Sequence, residues 1–240
     1  MTAMGALAEI TLRGLAGRRR LVLMILLAAL PVIVALLLRL AGGRGDAPEI
    51  IDALLIRTVL PLVALVIGTA AIGSEIDDGT AVFVLLKPIP RWRTALVKSA
   101  VASGLTLILV VPPVLLTGLL VAGFGSGGLA TTFGYALATM AGGIAYACAF
   151  TALGAMTSRA LIIGLGYVLL WEGALAGILE GTRFLSVRQG TLGLAAALTG
   201  ERRDEALAPV VAVAILAGVT LVAYGLTTRA LQRFQVRAGD

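Results

Sequence analysis

The chain has 240 residues, of which 59% are hydrophobic and only 13% are charged, and its mean hydropathy is +1.03. A soluble domain carries about 25% charged residues, because its surface has to be hydrated. A water-soluble fold would leave most of these apolar side chains without an interior to occupy, so the composition predicts an all-α polytopic membrane protein. The absence of His excludes His-based catalysis and haem ligation, and the single Cys148 excludes an intrachain disulfide. The net charge is +6. In a membrane protein, excess Lys and Arg usually set the topology and contact anionic lipid, so the charge does not indicate nucleic-acid binding.

Residues 1–20 are predicted to form a cytoplasmic amphipathic helix that lies along the membrane surface. Glu9 and Arg13 are one helical turn apart, which suits such a helix. The segment does not resemble a cleavable signal peptide, because its apolar residues are sparse and the arginines at 18–20 follow them.

Six apolar segments follow, each long enough to cross a bilayer, which takes about 20 residues. The stretch Ser99–Ser158 has no charged residue and would measure about 90 Å as one helix. It must therefore fold back, and Phe124–Gly128 is the predicted turn. Together the segments form one predicted transmembrane domain, residues 21–230. The six predicted spans cover residues 21–40, 50–73, 96–122, 131–155, 160–180 and 207–228, and a cytoplasmic tail covers 231–240.

The distribution of Lys and Arg near the span ends predicts the orientation. Twelve of these residues fall on one side, against six on the other, and the first side is therefore predicted to be cytoplasmic. Both termini then face the cytoplasm, and the chain is placed in the inner or plasma membrane. The twelve residues are Arg13, Arg18, Arg19, Arg20, Lys87, Arg91, Arg93, Lys98, Arg159, Arg229, Arg233 and Arg237.

Two charges fall inside predicted spans, Arg57 in the second and Glu172 in the fifth. Counted from the outer ends of their spans, they lie roughly 10 and 12 Å deep. Because a charge in a membrane is costly, matching depth favours an Arg57–Glu172 ion pair. Asp52 is a competing local partner for Arg57. In a further alternative, Arg57 extends outward to the interface while Glu172 is protonated or hydrated.

The external stretch between the fifth and sixth spans, Gly181–Glu205, has an apolar middle at Leu192–Leu198. This pattern favours a short helix that dips back toward the membrane.

The cytoplasmic loop 74–95, between the second and third spans, is the most distinctive part of the sequence. It begins with acidic residues that suit a helix start, continues through Gly79-Thr80 and the apolar patch Val82–Leu86, and reaches a Pro-rich turn with a basic exit. An exposed apolar patch bracketed by charge is commonly a docking surface. Packing of the patch against the protein's own helices is the alternative.

This loop resembles the first cytoplasmic loop of ABC-2 type transporter permeases. The sequence departs from the family's pattern at Pro90, where the family usually has Ser, and at Val82, where a polar residue is common. The matching residues, in the family's order and spacing, are Glu75, Gly79, Thr80, Leu85, Lys87, Pro88, Ile89, Arg91 and Lys98.

The resemblance implies an ABC-2, type V exporter-like permease that dimerises, with itself or a second permease, and binds two copies of a separate cytoplasmic ATPase. The loop would be the coupling helix that docks on the ATPase, with Leu85 and Leu86 as its apolar contact. ATP and Mg²⁺ would be bound by that partner. In agreement, the sequence has no Gly-x-x-x-x-Gly-Lys-[Ser/Thr] phosphate loop, and its two lysines, Lys87 and Lys98, follow no glycine-rich turn.

The function expected from the sequence is therefore that of a permease subunit in an ATP-driven exporter, with no enzymatic activity, metal or cofactor of its own. Three alternatives stay open: a membrane anchor or assembly subunit of an ATPase complex, a secondary transporter, and an intramembrane enzyme. The enzyme lacks support, because no pair of acidic residues lies inside the spans. The cargo is left open among amphiphiles, lipids, peptides and polysaccharide precursors.

Overall fold

The computed structural model describes residues 3–15, 17–41, 47–77, 90–123, 125–175, 186–201 and 207–233. Within these ranges the regular structure is entirely helical, so the prediction of an all-α fold is confirmed. We number the helices α1 to α8 in chain order. They are α1 (Ala3–Leu15), α2 (Arg18–Leu40), α3 (Ala47–Ile50, the π-helical segment Ile51–Val59 and Leu60–Asp77), α4 (Arg91–Ala122), α5 (Ser126–Met156), α6 (Ala160–Gly166 and the π-helical segment Tyr167–Leu175), α7 (Val187–Thr199) and α8 (Pro209–Arg233).

Five helices are long and apolar enough to cross a membrane: α2, α3, α4, α5 and α8. They correspond to five of the six predicted spans. The remaining prediction, 160–180, falls partly on α6, which is shorter, and its last residues lie outside the described part of the chain.

Several helices are longer than the hydropathy pattern predicted. The N-cap of α4 is Pro90, and the helix includes Arg91, Trp92 and Arg93, so it begins five residues before the predicted span. The reason is physical: hydropathy marks the lipid-embedded part of a helix, whereas backbone hydrogen bonding continues into the polar region. For the same reason α3 continues to Asp77 and α4 begins at Arg91, so the loop between them is shorter at both ends than the predicted loop 74–95. α4 ends at Ala122 and α5 begins at Ser126, so Ser126–Gly128 of the predicted turn belong to a helix, and Gly123 between the helices has φ +78.

The interior of the bundle is formed mainly by α3 and α5. In the most apolar stretch of α5, 67% of the residues are buried, against 22% in both α2 and α8. Glycines allow α3 and α5 to approach closely: a Cβ on Gly68 would lie 2.7 Å from the Cβ of Phe150, and one on Gly154 would lie 2.6 Å from the carbonyl oxygen of Thr69. Small residues at helix contacts are typical of membrane bundles. The outer helices α2 and α8 expose many large apolar side chains, as a lipid-facing surface requires.

Helix α1 packs against α3 and α4 through one face. Leu7, Thr11 and Leu15 are buried and lie four residues apart, whereas Ile10 and Leu12 on other faces are exposed. The helix therefore buries one face against the bundle, while apolar residues are also exposed on its other faces.

Most of the described basic residues gather at one end of the bundle. At this end Ile72, Ala95, Ala155 and Leu231 form an apolar cluster, and the hydroxyl of Tyr224 donates a hydrogen bond to the carbonyl oxygen of Trp92 over 3.1 Å. We call it the arginine end. Its arginines include Arg20, Arg91, Arg93, Arg159, Arg229 and Arg233.

Candidate functional site

Helices α6 and α7 run in the same direction and meet inside the bundle at Glu172. From the arginine end, α6 rises along α5 until Glu172 reaches Tyr146. Helix α7 begins at that level and continues toward the opposite end, where Thr199 lies against Gly134 of α5. Residues 176–185, which connect the two helices, lie outside the described part of the chain, and we call the pair α6–α7 the discontinuous helix. The short helix predicted within Gly181–Glu205 is present as α7, and most of its residues are buried inside the bundle.

The carboxylate of Glu172 accepts four hydrogen bonds and is only 2% exposed. The hydroxyl of Tyr167 donates to Oε1 over 2.8 Å, and the hydroxyl of Tyr146 donates to Oε2. The backbone N–H of Val187 donates to Oε1 over 3.0 Å, and that of Arg188 to Oε2 over 3.3 Å. These contacts join the side chain of Glu172 to three helices.

Local sequence explains how these donors come together. In a π-helix the backbone bonds link residues five apart, which brings Tyr167 and Glu172 onto one face. Ser186 is the N-cap of α7, and its side chain accepts from the N–H of Gln189 over 3.1 Å. Glu172 accepts from the first two N–H groups of α7, which have no partner within the helix. A carboxylate at this position is also favoured by the helix dipole.

The cluster lies deep in the bundle. At 1.5 Å per residue, Tyr146 is about 15 Å from the Met156 end of α5 and about 30 Å from its Ser126 end. A bilayer core is about 30 Å thick, so Glu172 lies far from either surface of a membrane that encloses these helices. A carboxylate at such depth is rare outside functional sites, and we take this cluster as the candidate site.

Two side-chain donors on the helices that meet at Glu172 have no hydrogen-bond acceptor within the described part of the chain. They are Nε of Arg188 and Nε1 of Trp171, and both atoms are buried. Arg188 as a whole is 7% exposed.

The prediction that Arg57 pairs with Glu172 is wrong. The guanidinium of Arg57 binds Asp52, with Nε 3.0 Å from Oδ1 and Nη2 3.1 Å from Oδ2. Both residues lie on the π-helical segment Ile51–Val59, whose five-residue repeat brings them together. The competing local partner is therefore the actual one.

The structure describes only part of the predicted docking loop. Gly79, Thr80, Leu85, Leu86, Lys87 and Pro88 lie outside the described residues, and of Glu75 only the helical backbone is described. Arg91 is the first residue of α4. Lys98 is 1% exposed, and its Nζ donates to the carbonyl oxygen of Ala71 over 2.9 Å. Its side chain therefore links α4 to α3 inside the bundle, where a second protein cannot reach it.

Sequence reasoning found Glu172 but missed its partners. Tyr146 and Tyr167 lie in apolar runs of the sequence, and Arg188 lies in the stretch Gly181–Glu205 that is predicted to be external. One signal was available: Ser186-Val-Arg-Gln189 has the spacing of a helix capping box, which would have placed a helix start at Val187.

The comparisons with known proteins leave the family open. No family model matches the sequence, and no curated protein matches it either.

Proposed function

We propose that this chain is the permease subunit of an ATP-binding cassette exporter, with an ABC-2 type fold and a separate ATPase that supplies the energy. The observation that carries the proposal is the loop between α3 and α4, whose sequence resembles the coupling element of that family. The proposal includes six membrane crossings, the discontinuous α6–α7 helix serving as the fifth, and a dimer of permeases in the inner or plasma membrane. The arginine end and both termini face the cytoplasm, in keeping with the Lys and Arg distribution.

The packing around the loop supports this role. The loop connects α3 and α4, which Lys98 ties together by its hydrogen bond to Ala71. Helix α3 in turn packs on α6, where Leu65 fills the space beside Gly164. Movement of the loop by an ATPase would therefore be transmitted through α3 to the discontinuous helix and its Glu172 cluster.

The test of the proposal is docking of the ATPase on this loop. Replacing Leu85 and Leu86 with Asp puts two charges into the apolar patch, and we expect recovery of the ATPase in a detergent pull-down to fall about tenfold or more, since each buried Leu side chain contributes about 1.5–3 kcal/mol. The matched control replaces Leu161 and Ile162, which are exposed on the outside of α6, with Thr. If the loop variant recovers as much ATPase as the wild type and still transports, the loop is not the docking site of the ATPase.

A secondary transporter is the second candidate, and the discontinuous helix favours it. In many secondary transporters, interrupted helices and intramembrane carboxylates form the binding sites for substrate and coupling ion. Glu172 stands at such an interruption. The two candidates differ in their energy source, because only the secondary transporter would move its cargo with an ion gradient and no ATPase.

A further inference from the structure

The guanidinium of Arg188 is buried and forms no ion pair with any residue in the described part of the chain. Arginine carries its charge at any physiological pH. The side chain is more than nine-tenths buried, and no described carboxylate forms an ion pair with it. A buried charge without a partner is strongly destabilising, and within a membrane bundle such charges usually mark the path of a ligand or ion.

Glu172 lies nearby but is already used. Its two oxygens accept from two tyrosine hydroxyls and two backbone N–H groups, and none of these four hydrogen bonds comes from the guanidinium of Arg188. The start of α7 is thereby satisfied, whereas the side chain of Arg188 is not.

The two buried side-chain atoms of α6 and α7 that have no hydrogen-bond partner among the described residues are both donors. Elsewhere in the described bundle, the buried side-chain atoms without a partner are hydroxyls, which can rotate and can either donate or accept. Arg188 Nε and Trp171 Nε1 can only donate. Both belong to elements that meet at Glu172, and each requires an acceptor supplied from outside the described chain.

We propose that Arg188 binds the anionic group, a phosphate or a carboxylate, of an amphiphilic molecule. Guanidinium is suited to this role, because its planar donors match the oxygens of both groups. Arg188 lies in an apolar part of the bundle, where Val187, Leu192 and Leu216 are also buried, so a molecule that reaches it needs an apolar body. The proposal that this molecule is the transported cargo rests on the proposed function. The proposal that Arg188 binds it does not.

Ligand-dependent thermal stability of the purified full chain, in a neutral detergent, tests the proposal. Decyl phosphate and decanoate are the anionic probes, and decanol and decyltrimethylammonium are the uncharged and cationic controls. At about 100 times its Kd, an anionic probe should raise the Tm by roughly 5–10 °C, whereas the controls should leave it unchanged.

Arg188→Met should abolish this shift while its own Tm, without ligand, equals or exceeds that of the wild type, because the variant lacks the unpaired charge. Arg188→Lys retains the charge but loses the planar donors and should keep only part of the shift. Arg159→Met removes an exposed charge at the arginine end and should keep all of it. An equal shift in wild type and Arg188→Met, or an equal shift with decanol, would overturn the proposal.

The anionic group could belong to a membrane lipid or to a free amphiphile. In phosphatidylcholine nanodiscs, stabilisation of the wild type by added phosphatidylglycerol, lost in Arg188→Met, identifies a lipid. Stabilisation by decyl phosphate alone identifies a free amphiphile. No Arg188-dependent stabilisation by either contradicts the proposal. Since no ATPase is present in this experiment, its failure would leave ATPase docking untouched.

Discussion

Replacing Glu172 with Ala is expected to lower the stability of the protein by about 3–5 kcal/mol, which corresponds to roughly 6–20 °C in Tm for a chain of this size. The variant leaves two hydroxyls and two backbone N–H groups in the interior without their acceptor. Glu172→Gln should fall between Ala and the wild type, because an amide offers one acceptor oxygen instead of two. Thermal unfolding in detergent measures the difference.

Glu9→Ala is the matched control for this loss of a carboxylate. Glu9 pairs with Arg13 on α1, and its side chain is 44% exposed. Its removal should leave the Tm nearly unchanged, because exposed ion pairs contribute little. If Glu172→Ala were as stable as Glu9→Ala, the four hydrogen bonds would not hold α5, α6 and α7 together as described.

A methyl group at Gly154 should separate the two central helices. Its Cβ would lie 2.6 Å from the carbonyl oxygen and 3.1 Å from the Cα of Thr69, and backbone atoms of a packed helix cannot turn aside as a side chain can. We expect Gly154→Ala to cost about 1–3 kcal/mol and Gly154→Val to cost more, since overpacking forces α3 away from α5. Thermal unfolding and the yield of folded protein measure both.

Gly104→Ala is the matched control for helical propensity. A Cβ at Gly104 on α4 meets no atom within 4 Å. The substitution should therefore be neutral or should stabilise the protein by up to about 1 kcal/mol, as Ala favours a helix over Gly. Equal Tm values for Gly154→Ala and Gly104→Ala would contradict the close contact between α3 and α5.

Five of the six spans predicted from hydropathy correspond to helices long and apolar enough to cross a membrane, because lipid demands long apolar segments whatever the packing. Hydropathy did not predict that α7 would begin at the level of Glu172, because the position of a helix start inside the bundle leaves no mark in composition. The Arg57–Glu172 pair was wrong for a related reason: depth in a membrane does not fix the direction of a side chain around its helix. The five-residue repeat of the π-helix gave Arg57 and Glu172 different neighbours, Asp52 and Tyr167.

The two π-helical segments could not be predicted from residue type, because their i to i+5 hydrogen bonds depend on tertiary packing. The hydrogen-bond partners of Glu172 could not be predicted from the sequence for another reason. Tyr146 and Tyr167 are distant in sequence from Arg188, and only the fold brings all three to one carboxylate.

ATP hydrolysis by the tagged full chain, isolated from its native membranes in mild detergent, tests the central claim most directly. We expect an ATPase subunit to co-purify and to bring saturable hydrolysis, and we expect both to be lost after a wash that dissociates the partner, because this chain has no phosphate-binding loop. Hydrolysis that stays with the isolated chain would contradict the account. So would transport in reconstituted vesicles that needs only an ion gradient and no second protein.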